Sequence, residues 1–464
     1  MSSASMNPVR QLFGTDGIRG IAGEYPLNPA TVFAIGRALG SRLRRRVADA
    51  RVIFGQDTRE SSAWIAQTLA AGLAEAGVAH ASAGVLTTPG VAYLTRAHRF
   101  TAGIVISASH NPWQDNGIKL FGGDGAKLAD ALEHEIEQEI FAHIEELAKA
   151  VNRADIAVSD MLPGDASLRA DYVRWLASNV DLSSLHGMSV LIDCANGAAS
   201  SVAPDLFQVC GIKADLICTS PDGRNINSGC GALHPENVAQ RVAAASGKYE
   251  MGITLDGDAD RALFCDSEGR IVNGDGVLLL AARDMKARGV LRGDTVVATT
   301  MSNMGLEKAL RSSDIRMLRA NVGDKYVLEE MDKTGAKLGG EQSGHILFKD
   351  GESTTGDGLL TSLRVLDVVA RTGKTLHELT ADMKVFPQII KNVKVRERVP
   401  FSQIHAAADA IKAAETELDG NGRVVVRYSG TEKLARVMIE AESEEQMARH
   451  ANAIATAIQK AIGV

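Results

Sequence analysis

Four short segments hold the residue types that chemistry needs. Ser107-Ala-Ser-His-Asn-Pro112 follows an apolar run, Ala102-Gly-Ile-Val-Ile106, and ends in Asn-Pro, which turns the chain out of a strand. Open α/β sheets place their ligands at the ends of strands, which makes Ser109 a candidate nucleophile. No Gly-x-Ser-x-Gly elbow surrounds it, and on these residues alone a polar turn is the simpler account. Asp256-Gly-Asp-Ala-Asp-Arg261 puts carboxylates at alternate positions after the apolar run Gly252-Ile-Thr-Leu255. An EF-hand fails here, because the twelfth position of such a loop is Ser267 rather than Glu and a strand, not a helix, precedes it. Carboxylates this close repel unless a cation lies between them, so Asp256, Asp258 and Asp260 read as ligands of a divalent metal in preference to a solvated acidic turn. Arg261 then stands beside the metal, within reach of a phosphate.

Gly339-Gly-Glu-Gln-Ser-Gly-His345 sets Glu341, Ser343 and His345 on a backbone with little bulk. That mix of acceptors and donors suits sugar hydroxyls, although a plain turn fits equally well. Arg427-Tyr-Ser-Gly-Thr-Glu-Lys-Leu-Ala-Arg436 joins two strand-like runs and combines hydroxyls, a glycine and two arginines. Such a loop makes a nest for a phosphate dianion, the alternative being a simple hairpin connection. The four segments together supply a nucleophile, a metal site, a sugar reader and a phosphate anchor. That set fits phosphoryl transfer on a sugar phosphate with a bound cation.

These loops must be carried by regular elements. Short β-branched runs alternate with longer amphipathic ones, the rhythm of βα units on mostly parallel sheets. Strands are expected at Arg51–Phe54, Ala102–Ile106, Met188–Ile192, Gly252–Leu255 and Asp294–Ala298. Helices are expected at Ser62–Ala76, Ala129–Ala150, Gly276–Lys286 and Gly358–Ala370, with a glycine-rich turn at Gly339-Gly340. The last stretch changes to strand (Gln388–Val395), helix (Phe401–Leu418), two strands and a final helix (Glu444–Ala461). The fold class is therefore α/β, with three consecutive βα domains on mixed sheets followed by a smaller α+β C-terminal domain. The expected spans are 1–160 for the serine-bearing domain, 161–265 for the metal loop, 266–382 for sugar recognition and 383–464 for phosphate binding. The three βα sections are candidate structural repeats, but no short sequence repeat is visible.

With 464 residues, the chain exceeds what one core supports. Its net charge of −7 and the absence of a basic face beyond Arg42-Leu-Arg-Arg-Arg46 argue against nucleic acid. That arginine cluster reads as a solvated helix end. No apolar run is long enough to span a bilayer and no signal core opens the chain, so no membrane partner and a cytoplasmic location are expected. Cys194, Cys210, Cys218, Cys230 and Cys265 are odd in number and lack C-x-x-C spacing, which argues against a disulfide framework and against a zinc site.

Along nearly the whole chain, Phe13-Gly-Thr-Asp-Gly-Ile-Arg-Gly20, Gly55-Gln-Asp-Thr-Arg59, the Ser109 loop with Asp115-Asn-Gly-Ile-Lys119, the Asp256 loop, Gly340-Glu-Gln-Ser-Gly-His345 and the Arg427 loop follow in order. In this order they resemble the α-D-phosphohexomutase superfamily. Asn225-Ile-Asn-Ser-Gly-Cys-Gly-Ala-Leu-His-Pro-Glu236 and Val322-Gly-Asp324 are similar to its phosphoglucosamine mutase branch; phosphomannomutase/phosphoglucomutase relatives usually carry histidine where Asp324 stands. The resemblance implies a four-domain, heart-shaped isomerase that interconverts glucosamine 6-phosphate and glucosamine 1-phosphate. Such an enzyme feeds UDP-N-acetylglucosamine and cell-wall precursor synthesis. The alternative is a phosphomannomutase/phosphoglucomutase of the same mechanism.

By the same resemblance Ser109, rather than Ser107, is a phosphoserine. Its phosphate would ligate one Mg²⁺ per chain together with Asp256, Asp258 and Asp260, and glucosamine 1,6-bisphosphate would be the intermediate and activator. Lys119 is implied as the base, with Arg19 and His110 nearby, provided that neighbouring cations or burial lower the lysine pKa. Arg261, Asp324, Glu341, Ser343 and His345 would contact the sugar. Arg427, Ser429, Gly430, Thr431 and Arg436 would hold the phosphate that is not reacting. The partner is then a small hexosamine phosphate, the protein a monomer or homodimer, and the fourth domain a lid that swings closed.

Overall fold

Runs of buried β-branched and aliphatic residues organise four sheets. The structure, a computed structural model, describes residues 12–14, 16–150, 163–351, 353–429 and 433–464, with only the helical backbone for 143–150. The first sheet comprises β1 (Ile18–Ile21), β2 (Arg51–Gln56), β3 (Ala79–Val85), β4 (Ala102–Ile106) and β5 (Asp115–Gly122), in the order β1-β5-β4-β2-β3. The second comprises β6 (Ser189–Asp193), β7 (Lys213–Ile217), β8 (Met251–Leu255), β9 (Ala262–Asp266) and β10 (Ile271–Val272), in the order β10-β9-β8-β6-β7. The third holds β11 (Thr295–Thr299), β12 (Arg316–Ala320), β13 (Leu338–Gly340) and β14 (Ile346–Phe348), ordered β12-β11-β13-β14. The fourth is antiparallel, with β15 (Gln388–Lys394), β16 (Gly422–Tyr428) and β17 (Leu434–Ala441) ordered β15-β17-β16.

One frame recurs in the first three sheets. In each, three strands run parallel through helical crossovers, and the third turns back as an antiparallel hairpin: β4 into β5, β8 into β9, β13 into β14. The hairpin loops are the Ser109 loop, the Asp256 loop and the Glu341–His345 loop. The repeat that the sequence hides is thus explicit in topology, and it delivers three of the four candidate loops from equivalent places. The fourth, after Arg427, joins β16 to β17.

The central strands β4, β8 and β11 are buried along their whole length, as parallel strands covered on both faces must be. A continuous apolar cluster runs from Ile53 and Val105 through Val190, Ile253 and Phe264 to Leu279, Val296 and Leu363, so the first three units share one core. The far face of the first sheet packs a second cluster under helix Pro29–Arg46, and the last unit has its own around Val437, Ile439, Ile454 and Ile458. Fully buried Tyr172 ties the units by donating to Asp357 Oδ2 at 2.7 Å. Helix Pro29–Arg46 carries Arg44, Arg45 and Arg46 in its last turn, and Arg42 just before it pairs with Glu139 of helix Asp130–Ala150 at 2.7 Å.

Several boundaries differ from the sequence reading. The second sheet continues to Val272, past residue 265. Gly339 and Gly340 end β13 instead of forming a turn. A Cβ on Gly339 would lie 2.6 Å from Met331 Sδ, so the glycines serve close packing. The helix expected from Phe401 begins as a 3₁₀ turn, Phe401–Gln403, and becomes α-helical at His405. No helix among the described residues is long and apolar enough to cross a membrane.

Candidate active site

Ser109 leaves β4 with φ of 51°, a left-handed conformation uncommon for a residue with a side chain. The surrounding structure fixes it there. Buried Arg59 points its guanidinium at the loop, donating to the carbonyls of Ser109 (2.9 Å), Asn111 (2.9 Å), Asp115 (3.0 Å) and Pro112, and its Nε to Asp57 Oδ2 (2.8 Å). Asn227 Nδ2 donates to the same Ser109 carbonyl at 2.9 Å. Ser107 is committed elsewhere. Its hydroxyl donates to Asp57 Oδ2 at 2.7 Å and accepts from the Ser109 N–H at 2.9 Å, which leaves Ser109 as the serine whose Oγ faces the aspartates.

The Ser109 hydroxyl donates to Asp256 Oδ2 at 2.5 Å. One carboxylate oxygen from each of Asp256, Asp258 and Asp260 lies within 4.8 Å of the others, and all three residues are buried. Asp258 Oδ1 and Asp260 Oδ1 are buried with no hydrogen-bond partner. Unsatisfied oxygens in an all-oxygen donor set fit a hard divalent cation. Burial, reinforced by Asp260 and Asp258, pushes the Asp256 carboxyl well above its ordinary range. Asp260 moves the other way: burial opposes its charge, but Lys119, His345 and Arg261 outweigh it and hold the group low. The loop can approach only because residue 257 is glycine; a Cβ there would sit 2.5 Å from the Ser109 carbonyl oxygen.

Lys119, buried on β5, reaches Asp258 at 2.8 Å, Asp16 at 3.1 Å and Asp260 at 3.7 Å. Burial alone would lower its pKa, but the three carboxylates outweigh burial and raise it. Arg19 opposes the acids, and two of the three carboxylates, Asp258 and Asp260, belong to the triplet that would hold a cation, so the lowered pKa expected of a lysine base requires their charge to be taken up. His110 differs. Burial, with Arg261 and Arg19 nearby, brings its imidazole down to about 4, and its Nδ1 lies 3.4 Å from Ser109 Oγ. The imidazole is therefore neutral near pH 7 and lies beside the serine oxygen.

Arg19, His110, Arg261, Asp324, Glu341 and His345 line a cleft of about 680 Å³ above Ser109. Glu341 Oε1 accepts from the Gly323 N–H at 3.0 Å, and the Ser343 hydroxyl donates to Glu341 Oε2 at 3.3 Å. His345 is buried between Asp260 (3.6 Å) and Asp324 (3.7 Å), and these acids raise its pKa against the effect of burial. Lys127 pairs with Asp324 at 2.6 Å and Asp16 at 2.5 Å, which links the first and third units across the cleft.

Arg427 and Arg436 are cross-strand partners on β16 and β17, and both line a second cavity of about 380 Å³ that shares no lining residue with the first. Burial and the Arg436 charge both lower the Arg427 pKa. Ser429 bonds through its N–H to the Leu434 carbonyl at 2.8 Å. Gly430 and Thr431 lie outside the described residues.

Sequence reasoning gave no role to Asp57, Arg59, Asn227, Asp16 or Lys127. Asp16, Asp57, Arg59 and Asn227 lie inside motifs read for resemblance and Lys127 in none of them, and the partners that give these residues a role come largely from distant segments.

Similarity to known proteins covers the chain. Residues 10–147, 170–269 and 273–386 match the descriptions "Phosphoglucomutase/phosphomannomutase, alpha/beta/alpha" domains I, II and III, and residues 390–457 match its "C-terminal domain". The chain is 65% identical over 465 residues to the phosphoglucosamine mutase of Koribacter versatilis, covering 100% of each. It is 50% identical over 454 residues to that of Solibacter usitatus, covering 98% of this chain and 99% of the relative. A solved phosphoglucomutase/phosphomannomutase family protein from Burkholderia thailandensis has the same fold, with a TM-score of 0.77 at 24% identity over 97% of this chain and 99% of that one. Aspergillus fumigatus N-acetylphosphoglucosamine mutase, solved with GlcNAc-6P and magnesium, aligns with a TM-score of 0.66 at 20% identity over 98% of this chain and 96% of that one. With all four domains present in order and half to two thirds of its residues shared with such relatives, the chain belongs to the phosphoglucosamine mutase family of isomerases.

Proposed function

We propose that this chain interconverts glucosamine 6-phosphate and glucosamine 1-phosphate through a phosphoserine at Ser109. The observation that carries the reading is Ser109 Oγ held against Asp256 beneath a cleft that joins cations to sugar-binding acids. Asp256, Asp258 and Asp260, with the Ser109 phosphate, would hold one Mg²⁺, which when bound neutralises charge on the phosphoryl oxygens.

The chain's own residues do the rest. Arg59 and Asn227 fix the loop, so the bond from Ser109 Oγ to phosphorus lies in a constant position as it breaks and the bond to the free sugar hydroxyl forms. The hydroxyl proton passes to the neutral imidazole of His110. Lys119 and Arg19 provide fixed positive charge, with Lys119 becoming a base only if its carboxylate neighbours are otherwise neutralised. Glucosamine 1,6-bisphosphate is the intermediate; it turns in the cleft and returns its other phosphoryl group to Ser109. Arg261, Asp324, Glu341, Ser343 and His345 read the sugar in both orientations. Arg427, Ser429, Gly430, Thr431 and Arg436 hold the distal phosphate.

We assign four domains at 1–160, 161–272, 273–382 and 383–464, with the second boundary moved from 265 to follow its sheet to Val272. The setting is cytoplasmic, with a hexosamine phosphate as partner and the enzyme a monomer or homodimer. Intact-mass measurement should find one phosphoryl group on Ser109, and incubation with glucosamine 6-phosphate should yield the 1-phosphate. Faster turnover of glucose or mannose phosphates would overturn the sugar assignment, and inorganic phosphate in excess of isomerised sugar would indicate a phosphatase.

A further inference from the structure

Asp193, Cys218 and Cys230 lie apart in sequence but converge at the C-terminal edge of the second sheet. Asp193 ends β6 opposite Ile217 of the neighbouring parallel strand β7, and Cys218 turns out of β7 with φ of 50°. Cys230 arrives on the loop before Gly231, whose N–H donates to Asp193 Oδ2 at 2.9 Å. One ligand atom from each of the three residues lies within 4.8 Å of the others. A tetrahedral zinc site with bonds of about 2.0–2.3 Å has ligand–ligand edges of roughly 3.5–3.8 Å, so small side-chain rotations close this set on a metal.

Two further observations point to a cation. Asp193 is a buried carboxylate, 1% exposed, and no Lys, Arg or His pairs with it among the described residues. Buried charges are normally paired or bound to metal. The side chains are also supported from outside, as ligands are. The Ala195 and Gly231 N–H groups each donate to one Asp193 oxygen, the Cys218 side chain is hydrogen-bonded to the same carboxylate, and Asn196 Nδ2 donates to Cys230 Sγ at 3.9 Å. Half-exposed Cys218 provides a path from solvent.

We propose that Asp193, Cys218 and Cys230 form a second metal site, selective for a thiophilic divalent cation of the zinc class. Two sulfur donors separate it chemically from the all-oxygen Asp256 triad. Binding forms two metal–thiolate bonds and releases the two thiol protons to solvent, with water completing the tetrahedron. Strand register, not sequence spacing, assembles these ligands, which is why the absence of C-x-x-C argued against zinc. The loop that carries Cys230 also carries Asn227, so the metal would brace the contact with the Ser109 carbonyl.

The test equilibrates the full-length protein, in reducing buffer with Mg²⁺, against Zn²⁺ or Co²⁺ before desalting. We expect one zinc per chain retained and a thiolate-to-cobalt charge-transfer band. Cys218→Ser and Cys230→Ser should lose the band, while Cys194→Ser and Asp258→Asn keep it. In the unmodified protein, Zn²⁺ should slow alkylation of Cys218 and Cys230 at least tenfold, a readout independent of whether the variants fold. A cobalt spectrum without the band, a band that survives both serine variants, or alkylation indifferent to Zn²⁺ would overturn the proposal. A Cys218–Cys230 disulfide forming in place of metal binding would overturn it as well.

Discussion

Arg59 fixes four carbonyls of one loop, and none of those contacts involves the chemistry directly. Lysine at this position keeps the charge but loses the planar fork. Arg59→Lys should therefore lower kcat by about 100-fold with little change in KM, because small misplacement of a reacting group has that cost. Steady-state kinetics beside a circular-dichroism melt distinguish this from unfolding. The proton path has its own test. His110→Ala should lower kcat by about 10²-fold or more, the usual scale of general acid–base catalysis. If Lys119→Ala instead shows the larger loss while His110→Ala turns over normally, the roles given to the two residues are reversed. At this scale the aspartate triplet was legible because its spacing is itself the chemistry. Arg59 was not: its partners are main-chain oxygens about fifty residues downstream, and no pattern of residue types records them.

Among the elements, helix Gly274–Ala287 illustrates what burial does to a charge. Its first turn carries Asp275, which accepts from the Asn303 N–H at 2.8 Å, with Gln342 Nε2 at 3.3 Å. Burial pushes Asp275 up to about 6. The folded protein thus keeps a proton that the unfolded chain has already lost. Stability from this group is fully present below an ordinary carboxyl pKa of about 4 and is lost as pH rises through about 6. Asp275→Asn should flatten that slope, so that wild type loses about 3 kcal/mol relative to the variant between pH 4 and pH 7.5. Chemical denaturation at the two pH values measures it, and parallel curves would refute it. The long strands and helices were readable from apolar periodicity. The three-residue strands β13 and β14 were not, since two glycines there fit a turn in sequence and a tight sheet in space.

The whole molecule divides where its cores divide. Three units share one apolar cluster and the fourth has its own. The fourth touches the third through a small polar joint. Asn303 Nδ2 donates to the Phe386 carbonyl (2.9 Å), Arg423 donates to the Thr300 (2.6 Å) and Ser302 (2.9 Å) carbonyls, and Glu440 accepts from the Met304 N–H (2.8 Å). All of these contacts converge on one turn, as a pivot requires. Glucosamine 1,6-bisphosphate should therefore reduce the radius of gyration in small-angle scattering. An unchanged profile at saturation would count against a moving fourth domain.

Arg427 stands directly opposite Arg436, which places like charges across a strand pair at the proposed phosphate site. Any dianion that settles between them adds its binding free energy to the folding of the last domain. If the proposed site is correct, the melting point of that domain should act as a gauge of surrounding phosphate, rising with added sugar phosphate and falling on dialysis.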